Sequence, residues 1–261
     1  MKNLNICACV GVWKEGETLH YTFDNLLRYC NHIAVLADCP DEKTEKFVLS
    51  YKEKYPDIFE IGYSTVPPLR DKNHVRRRTK VYASQLNEEK LALIKKINEK
   101  EKVDILLSPD SDEVFTDNFP QLLKDFWESS YTSINARPIN VYDKVDIIVD
   151  RGMASHYRVY KYVDSIHFTP WRYRGFYYPY RGSESMILGT GLFVHLNKLA
   201  ENKGRKKIIG NRDLIDVCPD AKLWKLTKPA WELTHDEYLE IISSPPTWTL
   251  KEYCEKFPSR T

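Results

Sequence analysis

Residues 103–114 read VDILLSPDSDEV, and this stretch decides the fold. Val103, Ile105, Leu106 and Leu107 form the apolar run of a strand covered on both faces, and Pro109 ends the ladder because it has no N–H to donate. Asp110 and Asp112 follow at the strand's exit, with Ser111 between them. Extended backbone sends residues i and i+2 to one side, so an extended path here brings both carboxylates to one point outside the sheet. Such exits are where open parallel sheets bind ligands. The other reading is an acidic turn, with Asp110 capping a following helix and Asp112 and Glu113 in its first turn. Three acids within four residues directly after a buried strand favour a metal site. Carboxylate oxygens suit Mg²⁺ or Mn²⁺, which complete their shells with water and substrate phosphates. A phosphate-bearing substrate is implied.

Upstream, residues 4–12 (LNICACVGV) are almost wholly apolar and read as a second doubly covered strand, with Trp13 at its exit. Leu19, Phe23, Leu26, Leu27 and Cys30 then recur at helical spacing after Thr18. A strand over 33–37 ends at Asp38, the segment DCPDEKT leads into a helix striped with Phe47, Tyr51 and Tyr55, and residues 58–63 offer a third strand. Residues 73–100 carry a long helical pattern, read as two helices meeting near Asn87. Four strands alternating with helices imply right-handed crossovers and a mainly parallel, Rossmann-like sheet in an α/β domain. Beyond Asn118 the alternation in 132–141, 145–150, 157–163 and 186–195 predicts shorter, mixed or antiparallel strands. The expected organisation is a catalytic domain over 1–212, divided into a nucleotide-binding half (1–117) and an acceptor half (118–212), with a packed C-terminal extension over 213–261.

With 261 residues, 42% of them hydrophobic, the chain can bury a substantial core. Lys plus Arg (39) nearly balance Asp plus Glu (37), and a net charge of +2 supplies no field that would collect nucleic acid. The six cysteines include no CxxC pair, so they read as reduced thiols rather than a zinc site or a disulfide framework. No stretch reaches membrane-spanning length, and a cytoplasmic setting is expected.

Taken together, SPDSDEV after its strand, LNICACVGVWKEGETL and LADCPDEKT resemble GT-A fold glycosyltransferases, family 2-like, over roughly residues 4–200. SPDSDEV is similar to that family's DxD motif, and the other two segments are similar to its first strand and loop and to its second strand with an acidic exit. The resemblance implies a mainly parallel central sheet with helices on both faces and a smaller mixed-strand acceptor region. It also implies a UDP- or GDP-sugar donor, a glycan or other hydroxyl acceptor, and Mn²⁺ or Mg²⁺. By the same resemblance Asp38 contacts the donor's base or ribose, with Val12, Trp13 and Glu15 lining that pocket. Asp110, Ser111 and Asp112 lie beside the metal and diphosphate, and His195, in GTGLFVHLNK, is a late metal ligand.

Arg77, in the cluster of Arg76, Arg77, Arg78 and Lys80, is the expected guanidinium for the donor phosphates, and the 203–207 segment is a further source of positive charge. Trp171, Arg172 and Tyr177, from WRYRGFYYPYRG, are expected on the acceptor side, where aromatic faces stack on sugar rings and arginines donate to hydroxyls. The same residues would also suit a packed hairpin. An inverting enzyme needs a base for the acceptor hydroxyl. Of Glu184, Asp164 and His167, Glu184 is preferred because it stands between the aromatic loop and the His195 strand; retention stays open. Two rivals remain. A nucleotidyltransferase acting on a sugar phosphate would usually carry a glycine-rich loop after the first strand, which VWKEGE lacks. A non-catalytic carbohydrate-binding module would leave the paired aspartates unexplained.

Overall fold

The apolar runs become the centre of a sheet in the computed structural model, which describes residues 4–14, 16–66, 80–150, 155–168, 176–177, 184–188, 191–196 and 220–257. Strands β1 (Ile6–Val12), β2 (His32–Ala37), β3 (Phe59–Tyr63) and β4 (Ile105–Leu107) run parallel in the order β3-β2-β1-β4. Both faces are covered, which is why these runs are continuously apolar rather than alternating. Ala8, Val10, Ile33 and Val35 pack with α1 (Leu19–Leu26), α2 (Glu42–Lys54) and, further along the chain, α4 (Phe119–Glu128). Cys7, Cys9 and Ala34 meet Ile94 and Ile97 of α3 (Lys80–Lys100) on the other face. Helix α3 is continuous, so the expected junction near Asn87 does not exist; residues 73–79 of that expectation lie outside the described residues.

After β4 the chain alternates between two sheets. It passes through β5 (Glu113–Phe115), β6 (Ser133–Ala136), β7 (Ile139–Tyr142), β8 (Lys144–Val149) and β9 (His156–Lys161). There follow β10 (His167–Phe168), β11 (Phe176–Tyr177), β12 (Ser185–Leu188), β13 (Phe193–His195), β14 (Lys222–Lys225) and β15 (Trp248–Thr249). Among the described residues the first sheet has the order β12-β6-β9-β4-β1-β2-β3, with β9 antiparallel to β4 and β6. The second, mixed sheet has the order β15-β14-β8-β7-β13-β5, and β10 and β11 pair as a separate hairpin.

Two segments expected as single strands are divided between the sheets. Residues 132–141 break at Pro138, which cannot donate to a ladder, so β6 and β7 belong to different sheets. Residues 186–195 split into β12 and β13, and Gly191, with φ at +100°, turns the chain just before β13 as a side chain with a Cβ would not readily do. The C-terminal segment is hydrogen-bonded into the second sheet: β14 pairs antiparallel with β8, and α5 (His235–Ser243) and α6 (Leu250–Lys256) follow. Among the described residues no helix is long and apolar enough to cross a membrane.

The end of β2 is fixed to α2 by a cap. Asp41 accepts from the Thr44 N–H at 2.9 Å, Glu42 and Glu45 stand in the first turn and Lys52 and Lys54 in the last, each favourable to the helix dipole. Asp41→Ala is expected to cost about 1 kcal/mol in urea unfolding at neutral pH. The hydrogen bonds from Thr44 hold the Asp41 carboxyl below its ordinary value, so this contribution is present above the unfolded pKa and is lost as pH falls. The wild type and the variant should therefore converge below about pH 4.

Candidate active site

The chain turns between β4 and β5 instead of running on extended. The Glu113 N–H donates to the Asp110 carbonyl at 3.1 Å, with Ser111 and Asp112 at the corner. The extended path expected for residues 110–112 is thus corrected, and so is the helix cap, because β5 rather than a helix follows. Helix α1 holds the turn. Thr22 Oγ1 donates to the Ser111 carbonyl at 2.8 Å, and the Asn25 side chain both donates to the Phe115 carbonyl and accepts from its N–H, each at 2.8 Å. Opposite the turn, the Leu196 N–H donates to the Asp112 carbonyl at 2.7 Å.

Antiparallel pairing of β13 with β5 sets His195 directly across from Glu113. It brings His195 Nε2 to 3.5 Å from Asp112 Oδ1, with both side chains 8% exposed. Asp110 points elsewhere. Its carboxylate accepts from Arg158 Nη2 at 2.7 Å, and the same nitrogen donates to Glu113 Oε1 at 2.7 Å. Glu113 Oε2 lies 2.6 Å from Arg158 Nε and also accepts from the Asp110 N–H at 2.8 Å. Arg158 is aimed there by an irregularity in β9: Val159 pairs with Ile134 and Tyr157 with Asn135, so Arg158 is the extra residue. Such bulges re-aim side chains beside functional sites.

The cluster is charged and, apart from the partly exposed Asp110, buried. Burial works against the Arg158 charge, but Asp110 and Glu113 outweigh it and hold the guanidinium's pKa above its ordinary value. Burial likewise opposes a charge on His195, yet Asp112, with Glu113 and Asp110 behind it, leaves that pKa raised. Burial pushes the Glu113 carboxyl up, and Arg158 is the chief opposing influence.

Two of the expected donor residues lie at neighbouring strand exits. The Asp38 N–H donates to the Val12 carbonyl at 2.7 Å, joining the exits of β2 and β1, and Trp13 follows with Lys14 Nζ 5.3 Å from its ring centre. Cys39, next to Asp38, has φ at +50°, a strained value of the kind that collects at functional sites. Glu15, Arg77, Trp171, Arg172 and the 203–207 segment lie outside the described residues, as do the side chains of Tyr177 and His167.

Glu184 is not brought to the site. It immediately precedes β12, where its carbonyl accepts from Thr132, three strands from β4 and thus about 14 Å away across the sheet. The pairings Ser185 with Ser133, Ser133 with Tyr160 and Tyr160 with Leu106 also set it level with the start of β4, the end opposite Asp110. Strand order, invisible in the sequence, sets Glu184 apart from the turn that holds Asp110 and Asp112. Asp164 lies at that same far end, accepting from Asn98 Nδ2 near the close of α3. Conversely, Arg158 and the specific role of Glu113 were not foreseen. The available signal was a charged residue inside the otherwise strand-like HYRVYK of β9.

Two of the residues fit a divalent cation. Adjacent ligand atoms on a six-coordinate Mg²⁺ lie about 3 Å apart, and Asp112 Oδ1 and His195 Nε2 are near that spacing. At 3.5 Å the two form an ion pair, and His195 Nδ1 is buried with no hydrogen-bond partner among the described residues. Those residues include no group of three or more His, Cys, Asp or Glu side chains placed to hold a metal. Water and substrate oxygens would fill the other positions.

A mainly parallel sheet with helices on both faces, paired aspartates at the exit of its central strand and a mixed sheet reached through that turn are what the resemblance implied. The fold is α/β, with a mainly parallel central sheet covered by helices on both faces. No family model matches the chain, and no curated protein matches it. Among solved structures, S. aureus TarS is similar at 11% identity and a TM-score of 0.41, over 60% of this chain and 28% of TarS. The 4-diphosphocytidyl-2C-methyl-D-erythritol synthase from Anaerococcus prevotii is similar at 11% identity and a TM-score of 0.40, over 71% of this chain and 87% of that one. Glucosyl-3-phosphoglycerate synthase from Mycobacterium tuberculosis, in complex with Mn²⁺, UDP and phosphoglyceric acid, is similar at 14% identity and a TM-score of 0.35, over 52% of this chain and 43% of that one.

Proposed function

We propose that this chain is a metal-dependent glycosyltransferase of hexosyltransferase type, moving a sugar from a UDP- or GDP-sugar to a hydroxyl of a glycan or another acceptor. One observation supports the reading: the turn at the exit of the central strand holds Asp112 against His195, contributed by a distant strand, as a buried acid–imidazole pair. Asp112 and His195 would hold Mn²⁺ or Mg²⁺. When bound, that cation supplies positive charge to the diphosphate as the anomeric bond breaks.

The chain's own residues do the rest. Asp38 and the Val12 carbonyl receive the donor's ribose and base at the adjoining strand exits, with Trp13 as a neighbouring surface and Ser111 in the turn beneath the diphosphate. Arg158 locks Asp110 and Glu113, so the turn is preorganised before donor arrives. Trp171, Arg172 and Tyr177 are assigned to the acceptor. A cytoplasmic location agrees with the free, buried thiols of Cys7, Cys9 and Cys30.

Calorimetric titration with UDP and GDP, with and without Mn²⁺, tests the reading. The expected result is that one of the two nucleotides binds at least about tenfold more tightly with the metal, a gain of ~1.4 kcal/mol. Glycan binding that ignores metal, with no nucleotide binding, would establish the lectin-like rival. Pyrophosphate release from a nucleoside triphosphate and a sugar phosphate would establish the nucleotidyltransferase.

A further inference from the structure

Strand β1 is buried at every position except Gly11; no other residue in it exceeds 8% exposure. Gly11 continues the face of Cys7 and Cys9, the one covered by α3. A Cβ on Gly11 would stand 2.8 Å from Lys90 Nζ and 2.9 Å from Lys90 Cε, so the end of the Lys90 side chain lies directly over the Gly11 backbone. The missing side chain lets the lysine's ammonium lie against the peptide backbone of the strand.

This contact lies near the strand exits. Ala8, three residues before Gly11, pairs with Leu107, three residues before Asp110, and on its other side Gly11 pairs with Leu36, two residues before Asp38. Among the described residues no carboxylate lies within ion-pair distance of Lys90 Nζ. The adjacent Glu89 is engaged elsewhere, accepting from Thr65 N and Oγ1 at 2.9 and 2.6 Å. Glycine in a strand interior weakens the strand, and here it gives an ammonium with no acid beside it direct access to the backbone. An anion would complete the arrangement.

We propose that Lys90 binds the phosphates of the nucleoside diphosphate donor at the exit of β1, where Gly11 lets its ammonium lie against the strand backbone. The inference rests on the donor reading above and adds to it a cation on the opposite face of the sheet from Arg158. An ammonium suits this role as a compact point charge, and glycine permits the close backbone approach.

The test is calorimetry of UDP and GDP, in Mn²⁺, against wild type, Lys90→Met and Gly11→Ala. Methionine keeps the buried stem and removes the charge. Alanine places a methyl where the ammonium sits, and the flexible lysine end can swing aside without moving the strand. The expected result is about a tenfold weakening of diphosphate binding by Lys90→Met, a smaller response of that binding to added salt, and a loss of the same sense in Gly11→Ala, with melting temperatures unchanged. Binding by Lys90→Met within twofold of wild type overturns the Lys90 assignment and leaves the donor reading standing. Failure of wild type to bind either diphosphate overturns both.

Discussion

Arg158→Met is expected to lower the stability of the fold by about 3–5 kcal/mol, because it strands Glu113 as a buried, unpaired carboxylate. Glu113 is 2% exposed and Arg158 is its only ion-pair partner among the described residues, with His195 acting on it more weakly from across the strand pair. Set against the 5–15 kcal/mol typical of a domain, a loss of this size brings part of the population to unfolding. Methionine fills much of the arginine's stem volume, so the loss is chiefly one of charge.

The pH dependence separates charge from packing. In the variant Glu113 takes up a proton more readily when folded than when unfolded, so its folded pKa lies above the ordinary value of about 4.3. The folded state then binds more protons, and stability falls as pH rises. The deficit in urea unfolding should therefore grow between about pH 5 and pH 7. Adding Glu113→Gln should recover much of the loss and flatten that dependence. A deficit independent of pH in both variants would show that Arg158 acts through packing alone.

The half of the fold that carries the acids was legible because its strands are buried on both faces. Residues 6–12 and 105–107 are apolar at nearly every position, a pattern few other structures need, and short-range helix signals separate them. The second half resisted because its strands are short and their partners distant in sequence. Nothing local to residues 186–195 says that Met186 joins β6 while His195 joins β5, yet that division carries His195 to the turn. Strand order equally separates Glu184, close to the His195 strand in sequence, from the turn, and sets it at the far end of the other sheet in space. Arg158 was hidden for a related reason: its burial depends on a bulge that exists only once β9 lies between β4 and β6. The sequence offered Asp110 and Asp112 as equivalents, and the structure surrounds them differently. The turn gives one to an arginine and the other to a histidine.

That inequivalence makes Asp112→Asn the sharper probe of catalysis. The substitution keeps the side chain's size and leaves the Leu196 N–H bond to the residue 112 carbonyl in place, and Asp112 makes no ion pair with Arg158, so the fold should survive. What it removes is the charge facing His195, and with it the stronger of two ligands for the cation. Donor turnover is expected to fall by about 10³-fold, ~4 kcal/mol of transition-state stabilisation, while the melting temperature changes little. UDP or GDP titrations of the variant should lose most of the difference that Mn²⁺ makes to wild type. Turnover within tenfold of wild type, with its dependence on Mn²⁺ intact, would mean that the cation is held elsewhere and that the pair with His195 serves only to fasten β13 to the turn.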